Sequence, residues 1–142
     1  MAKSGHKFTK PSVVERLRMA GLRPTRQRVA LGKIIFGEDD RHFTAEDLHE
    51  EALNAKVMVS LATVYNTLNQ FTSGGILRAV AINGTKTYFD TNTSNHQHFY
   101  DEESGALLDI ETDTLKVSGL PIPPEGTRIS GIDVIVRLAP QD

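Results

Sequence analysis

The apolar residues of this chain change their period at Gly74-Gly75. Upstream they recur at helical spacing and downstream they read as short strands, so the chain must place a helical block before a sheet. The clearest stretch starts at Ser60, a cap candidate. Behind it Leu61, Val64, Leu68 and Phe71 fall within an arc of about 80° at 100° per residue, and Gly74-Gly75 ends the helix. Thr44-Ala-Glu-Asp47 is a capping box, in which a hydroxyl and the third-position carboxylate satisfy orphan amides reciprocally. A helix is therefore expected through about Ala55. Residues 24–36 carry Val29, Leu31, Ile34 and Ile35 at roughly helical spacing, and residues 11–19 form a shorter helix with Gly21 as its C-cap.

After the glycines, residues 76–82 and 85–90 are β-rich, and Asn83-Gly84 between them predicts a hairpin whose two turn positions take positive φ. Short helices followed by a hairpin are the order of a winged helix-turn-helix, with the last helix in the major groove and the hairpin as the wing. The polar stretch 91–95 reads as a hinge. Three segments result: a winged-helix DNA-binding domain at 1–90, the hinge at 91–95, and a small α/β domain at 96–142. In the last, residues 98–100 and 106–110 read as strands, 112–118 as one or two helical turns, and 120–126, with three prolines, as a loop. Residues 128–138 read as a strand with Val134, Val136 and Leu138 on one face. So short a segment with so few apolar residues makes a poor core alone, and a second copy would supply the missing burial. The expected fold class is α+β, and the expected assembly a homodimer.

The net charge of −2 hides an asymmetry. Residues 1–90 hold 13 Lys/Arg and 9 Asp/Glu, net +4, and residues 91–142 hold 3 and 9, net −6. At the front Lys3, Lys7, Lys10, Arg16, Arg18, Arg23, Arg26, Arg28 and Lys33 face Glu15 alone. Such a block suits a polyanionic partner, and a solvated basic face explains it as simply. The absence of cysteine excludes a disulfide framework, thiolate zinc sites, iron–sulfur clusters and a cysteine nucleophile. Residues 1–8 have no apolar core behind their lysines, and no apolar run approaches the ~18 residues of a membrane span. A soluble, cytoplasmic protein is expected, with no membrane partner.

Two groups of residues could carry chemistry. On the Ser60 helix, Ala62, Thr63, Asn66 and Gln70 point away from the apolar face, with Tyr65 on its shoulder. Asn and Gln can bond adenine bidentately and methyl-bearing residues can contact thymine, although an amphipathic helix also needs a solvent face. The second group is His96-Gln-His98, whose imidazoles project to one side of a strand and so can share an ion. Asp90 and Asp109 offer carboxylates nearby in sequence, and His42 precedes the Thr44 cap. Two surface histidines are the simpler alternative. His6 reads as part of a disordered tail, His49 as a solvated helix position, and Glu50-Glu51 and Asp101-Glu102-Glu103 as exposed charge.

Gly21-Leu-Arg-Pro-Thr-Arg-Gln-Arg28, Thr44-Ala-Glu-Asp-Leu48 and Ser60-Leu-Ala-Thr-Val-Tyr-Asn-Thr-Leu-Asn-Gln-Phe71 resemble the ferric uptake regulator family, over about Val13 to Leu138. Asn83-Gly-Thr-Lys-Thr-Tyr-Phe-Asp90 and Ile129-Ser-Gly-Ile-Asp-Val-Ile-Val136 are similar to its iron response regulator branch. The resemblance implies a homodimeric transcription regulator on a palindromic DNA operator. It implies that the Ser60 helix reads DNA, with Tyr65 on a base and Arg23 in a neighbouring groove. Asn66 stands where other members have arginine. Arg28, Ser60, Thr63, Asn66 and Lys86 complete the expected DNA-binding set. His42, Asp90, His96, His98 and Asp109 fall on ligand positions of the family's regulatory metal site, a three-His, two-Asp set similar to that of its peroxide sensors. Such ligands suit Fe2+ or Mn2+, with Zn2+ able to compete.

Departures from the family pattern are as informative. Asp101 and Ser104 stand where the first cysteine pair of a structural zinc would be, so no such zinc is expected. Asn95 and Gln97 replace ligands of a further metal site. The iron response regulator branch is linked to haem, which here could be ligated only by histidine, with His96 and His98 first. The resemblance thus implies an iron-responsive regulator, a repressor or activator controlled by haem or a divalent metal. A peroxide-sensing repressor is the alternative. A mononuclear metalloenzyme with His96, His98 and a carboxylate as facial triad is a remote one, since it leaves the basic block without a role, and an enzyme is not expected.

Overall fold

The computed structural model describes residues 10–111 and 113–142. Lys3, His6, Lys7 and the rest of the expected basic leader up to residue 9 lie outside the described residues, as does Thr112. The element order is α1 (Val13–Met19), α2 (Arg26–Ile35), β1 (His42–Phe43), α3 (Ala45–Asn54), α4 (Leu61–Ser73), β2 (Arg78–Asn83), β3 (Lys86–Asp90), β4 (His98–Asp101), β5 (Leu107–Asp109) and β6 (Ile135–Leu138). The expected order, helices then hairpin then a small sheet, is the observed one.

Each helix is bounded by local chemistry. The Ser60 and Thr44 hydroxyls accept from the N–H groups of Thr63 and Asp47, and Asp47 returns a carboxylate to the Thr44 amide. A second capping box, Ser12 with Glu15, starts α1, and Thr25 caps α2; neither is among the expected caps. Gly21 (φ +74°) and Gly75 (φ +80°) take the left-handed conformation that lets the chain leave α1 and α4. In α2, Gly32 lies against Val13 so closely that a side chain would have no room.

The chain forms two compact units. The first contains the described residues up to Ala79 with Phe89–Thr93; the second contains Val80–Tyr88 with Ser94–Asp142. In the first, Leu17, Leu31, Ile35, Leu48, Val64, Leu68 and Phe71 are fully buried in one cluster that also takes Phe43 and Phe89 from the β1–β3 pair. The apolar arc of α4 thus lies inward, with Leu61 at its half-buried edge. In the second unit, β4 pairs antiparallel with β5 and parallel with β6. The core there is Val80, Ile82, Tyr88, Tyr100 and Leu107, with Ile135 packed against it. The expected boundary kept the whole hairpin in residues 1–90. By compactness residues 80–88 group with the C-terminal segment, because three of those five core residues lie on the hairpin.

Several local expectations need correction. The hairpin turn is Gly84-Thr85 rather than Asn83-Gly84, and neither Asn83 nor Gly84 has positive φ. The Asn83 side-chain oxygen accepts from the Thr85 amide at 3.0 Å and so closes the turn by itself. No helical turn forms over 113–118; Leu115 alone is half-buried there, too little apolar anchorage to offset helix nucleation. The strand expected over 128–138 shrinks to β6, since its partner β4 is only four residues long. The two-residue strand β1 is too short for any periodic signal.

Candidate functional site

The residues expected to hold a metal form two groups, one in each unit. In the first unit His42 and Asp90 are direct register partners of the β1–β3 pair. His42 Nε2 lies 3.1 Å from Asp90 Oδ2, while Asp90 Oδ1 accepts from the Asn92 amide at 2.9 Å. Next to His42, Arg41 grips Glu51 with both guanidinium branches at 2.8 and 2.7 Å, and its N–H donates to Thr91 Oγ1. The Glu51 hydrogen bond raises the Arg41 pKa above its already high value, so the guanidinium stays charged. Glu51, expected as exposed charge, is therefore the anchor of β1.

In the second unit the extended chain turns His96 and His98 to the same side, as their spacing predicts. Their rings stand 4.5 Å apart, and His96 Nε2 and His98 Nε2 lie 3.3 and 3.4 Å from the same oxygen, Asp109 Oδ1. The strand register supplies this meeting, because His98 is the direct partner of Asp109. Both histidines are buried and Asp109 is open to solvent. His96 Nδ1 donates to the Ser94 carbonyl at 2.8 Å, which leaves Nε2 as the ring's lone-pair nitrogen.

These distances fit a divalent ion. With metal–ligand bonds of about 2.1 Å, neighbouring ligand atoms stand about 3.0–3.4 Å apart at octahedral or tetrahedral angles. The imidazole and carboxylate donors suit Fe2+, Mn2+ or Zn2+. A haem does not fit His96 and His98 as they stand. Both Nε2 atoms aim at one carboxylate, and rings 5% and 0% exposed leave no open face for a flat macrocycle.

The expected DNA-reading residues occupy different situations. Arg23 and Asn66 are exposed. Ser60 donates its hydroxyl to Thr63 Oγ1 at 2.9 Å at the start of α4 and accepts from the Thr63 amide at 3.0 Å. Tyr65, 39% exposed, donates its hydroxyl to Glu46 Oε2 at 2.6 Å, and that bond raises the phenol's pKa. Arg28 donates Nε and Nη2 to Gln70 Oε1 and Nη1 to the Arg23 carbonyl at 2.9 Å, so it ties α2 to α4 and props the Arg23 loop. Gln70, expected to point at DNA, is its acceptor. Lys86 Nζ donates to the Tyr100 hydroxyl at 3.3 Å and lies over the Tyr88 ring; the Tyr88 and Tyr100 hydroxyls raise its pKa. Glu46 and the Arg28–Gln70 pair carry no signal in spacing, and only the packing of the helices reveals them.

Three further expectations change. His49 is half-buried rather than solvated, with Nε2 3.0 Å from the Val59 carbonyl that leads into α4. Asp101 is more than exposed charge: its Oδ1 accepts from the amides of Glu103 and Ser104, which lower its pKa, and the Ser104 hydroxyl accepts from Ala106 N–H. Oxygen-closed turns thus stand at the two positions where the family pattern has a cysteine pair. Gln97 holds the segment before β6 with its side-chain amide, donating to Ile132 O and accepting from Val134 N–H.

Comparison with known proteins accords with this arrangement. The model of the ferric uptake regulator family matches residues 19–136. The chain is 32% identical over 101 residues to the ferric uptake regulation protein of Shigella flexneri, covering 70% of this chain and 68% of that one. It is 33% identical over 95 residues to the peroxide-responsive repressor of Staphylococcus aureus, covering 67% and 64%. Among solved structures, the ferric uptake regulator of Pseudomonas aeruginosa with manganese superposes with a TM-score of 0.68 at 22% identity, over 92% of this chain and 98% of that one.

Proposed function

The chain belongs to the ferric uptake regulator family, and on that premise we propose that it is a homodimeric, DNA-binding transcription regulator whose occupancy of a palindromic operator responds to a divalent metal. The observation that carries the metal reading is the convergence of His96 Nε2 and His98 Nε2 on Asp109 Oδ1 at 3.3 and 3.4 Å, the spacing of ligands on one ion. His42 and Asp90, register partners in the first unit, are the second candidate group of donors. Fe2+ or Mn2+ is the ion such donors would hold, with Zn2+ as competitor, and it would supply a positive centre there. Ser94 and Asn92 hold the ligands in place, the first by fixing the His96 tautomer and the second by occupying the outer oxygen of Asp90.

Dimerisation is supported by the β5–β4–β6 sheet. Its register aligns Leu108, Phe99 and Val136 in one apolar row, on the face opposite Leu107 and Tyr100. Leu108 is 48% exposed there. For DNA, the exposed residues Arg23, Tyr65 and Asn66 are the readers, while Arg28, Ser60 and Thr63 shape the surface that presents them, and Lys86 steadies the hairpin. The wing and the chain end favour the iron response regulator branch, signalling through bare metal rather than haem. Work on DNA places the protein in the cytoplasm; among the described residues no helix is long and apolar enough to cross a membrane. An enzyme built on His96, His98 and a carboxylate leaves α4 without a role.

The test is calorimetric titration with Mn2+ and gel shifts on an AT-rich palindrome, for wild type and for His96→Ala/His98→Ala. The double variant is expected to lose metal uptake and the metal response while its metal-free DNA binding persists, since a ligand shifts a conformational equilibrium only by its differential affinity. Unchanged Mn2+ uptake and response in the double variant would overturn the site. The three-His, two-Asp set also favours a second reading, peroxide sensing through Fe2+. It requires mono-oxidation of His42 or His96 when the iron-loaded protein meets peroxide, read by mass spectrometry.

A further inference from the structure

Glu46 sits in the first turn of α3, behind the Thr44 cap. A carboxylate can only accept hydrogen bonds. Its Oε2 takes the hydroxyl proton of Tyr65 at 2.6 Å, the length of a charge-assisted O–H···O⁻ bond. Neither partner is placed by a flexible loop. α3 and α4 lock through Leu48, Ala52, Val64 and Leu68, all fully buried, so the pair is held by two rigid helices. Tyr65 nonetheless remains 39% exposed, so a ligand can reach the side chain.

We infer that Glu46 is a positioning residue that sets the hydrogen-bonding sense of Tyr65, making its hydroxyl an acceptor that selects a base edge offering an amino group. The inference rests on the DNA-reading role proposed for α4. A free tyrosine hydroxyl donates or accepts and so tolerates any base edge. With its one proton committed to Glu46, it can only accept. In the major groove the amino donors are N6 of adenine and N4 of cytosine, while thymine O4 and guanine O6 and N7 offer only acceptors. The carboxylate adds a second effect of opposite sign. A negative charge beside the reading helix repels phosphate, so it lowers affinity for all DNA while sharpening the choice of one base.

The experiment uses the full-length, Mn2+-loaded protein and a duplex library with randomised operator positions, sequenced after selection, with competition by non-specific duplex alongside. Wild type is expected to enrich adenine or cytosine on the contacted strand at one position. Glu46→Ala, which removes the acceptor, and Tyr65→Phe should each lose that preference by about tenfold at the same position. The double variant should lose no more than either single one, because both remove one interaction. Glu46→Ala should also bind non-specific duplex more tightly. Glu46→Asp, which keeps the charge but withdraws its oxygens, should lose the base preference without that gain. Unfolding midpoints unchanged among the variants would separate positioning from folding. Enrichment that Glu46→Ala leaves intact at every position overturns the inference alone, as do losses that simply add. A wild-type chain that enriches no sequence overturns the DNA-reading proposal and this inference with it.

Discussion

In the first unit twelve described residues make one buried cluster, and helices α1 to α4 each contribute to it. The second unit has a cluster of five, of which Val80, Ile82 and Tyr88 lie on the hairpin and only Tyr100 and Leu107 on the C-terminal sheet. The first is a self-sufficient core. The second borrows a hairpin and still leaves Leu108, Val117, Leu120, Ile122 and Ile129 at least 43% exposed. Exposed apolar side chains occur in the first unit too, Met19 and Met58 among them; what sets the second apart is the row of Leu108, Phe99 and Val136, the surface a second chain would cover. The contrast separates what a short chain can stabilise alone from what it completes by association.

Equal truncations should show this contrast at its largest. Leu68→Ala removes a side chain with no exposure from the larger cluster and should cost about 3–5 kcal/mol, measured by urea unfolding of the first unit. Leu107→Ala acts on a smaller cluster at a residue already 7% exposed, and should cost about 2 kcal/mol, at the low end of such substitutions. Equal costs would mean that the second core is as well packed as the first, and the comparison would break.

Val136→Asp tests the open row directly. Its register places Val136 beside Phe99 and Leu108, so a carboxylate there costs little in a monomer and about 2 kcal/mol or more in a covered interface. Sedimentation should show monomer where wild type is dimer, with the unfolding of the first unit unchanged. A variant that stays dimeric at micromolar concentration would move the interface elsewhere.

The same contrast explains what could be read in advance. α4 was legible because Leu61, Val64, Leu68 and Phe71 keep one period between a Ser cap and two glycines, and all of that information is local. β1 was not, since His42 and Phe43 become a strand only through Asp90 and Phe89, 46 or more positions away. The residue types of the candidate metal site were readable from His-x-His and two aspartates. The pairing of His98 with Asp109, and the tautomer set by Ser94, needed the sheet. Arg28 illustrates the limit: a cation near a recognition helix invites a phosphate, yet here its donors go to Gln70 and the Arg23 carbonyl. Beyond Ile110 the strand is shorter than expected, because Arg128–Asp133 has only Ile129 and Ile132 as apolar residues, three apart, and the four residues of β4 are already matched by Ile135–Leu138.

The smallest expected effect asks whether the two units unfold separately. Each has one carboxylate whose pKa is lowered by hydrogen bonds: Glu15 by the Ser12 amide and hydroxyl in the first, Asp101 by the amide of Glu103 and the Ser104 group in the second. A lowered folded-state pKa stabilises the fold above the unfolded value, and the contribution disappears as pH falls through the folded one. Glu15→Gln should therefore lower the first transition modestly at pH 6 and make no difference in strong acid. Asp101→Asn should do the same to the second transition alone. Glu15 is exposed and Asp101 half-buried, so solvent screens both, and the location of each effect matters more than its size. The measurement is a denaturant scan at pH 6 and at pH 3 in a Tyr65→Phe background, with Tyr88 and Tyr100 absorbance reporting the second unit and helical dichroism the first. If either substitution moves both transitions together, the chain unfolds as one cooperative body. The second core would then draw its stability from the first rather than from a partner chain.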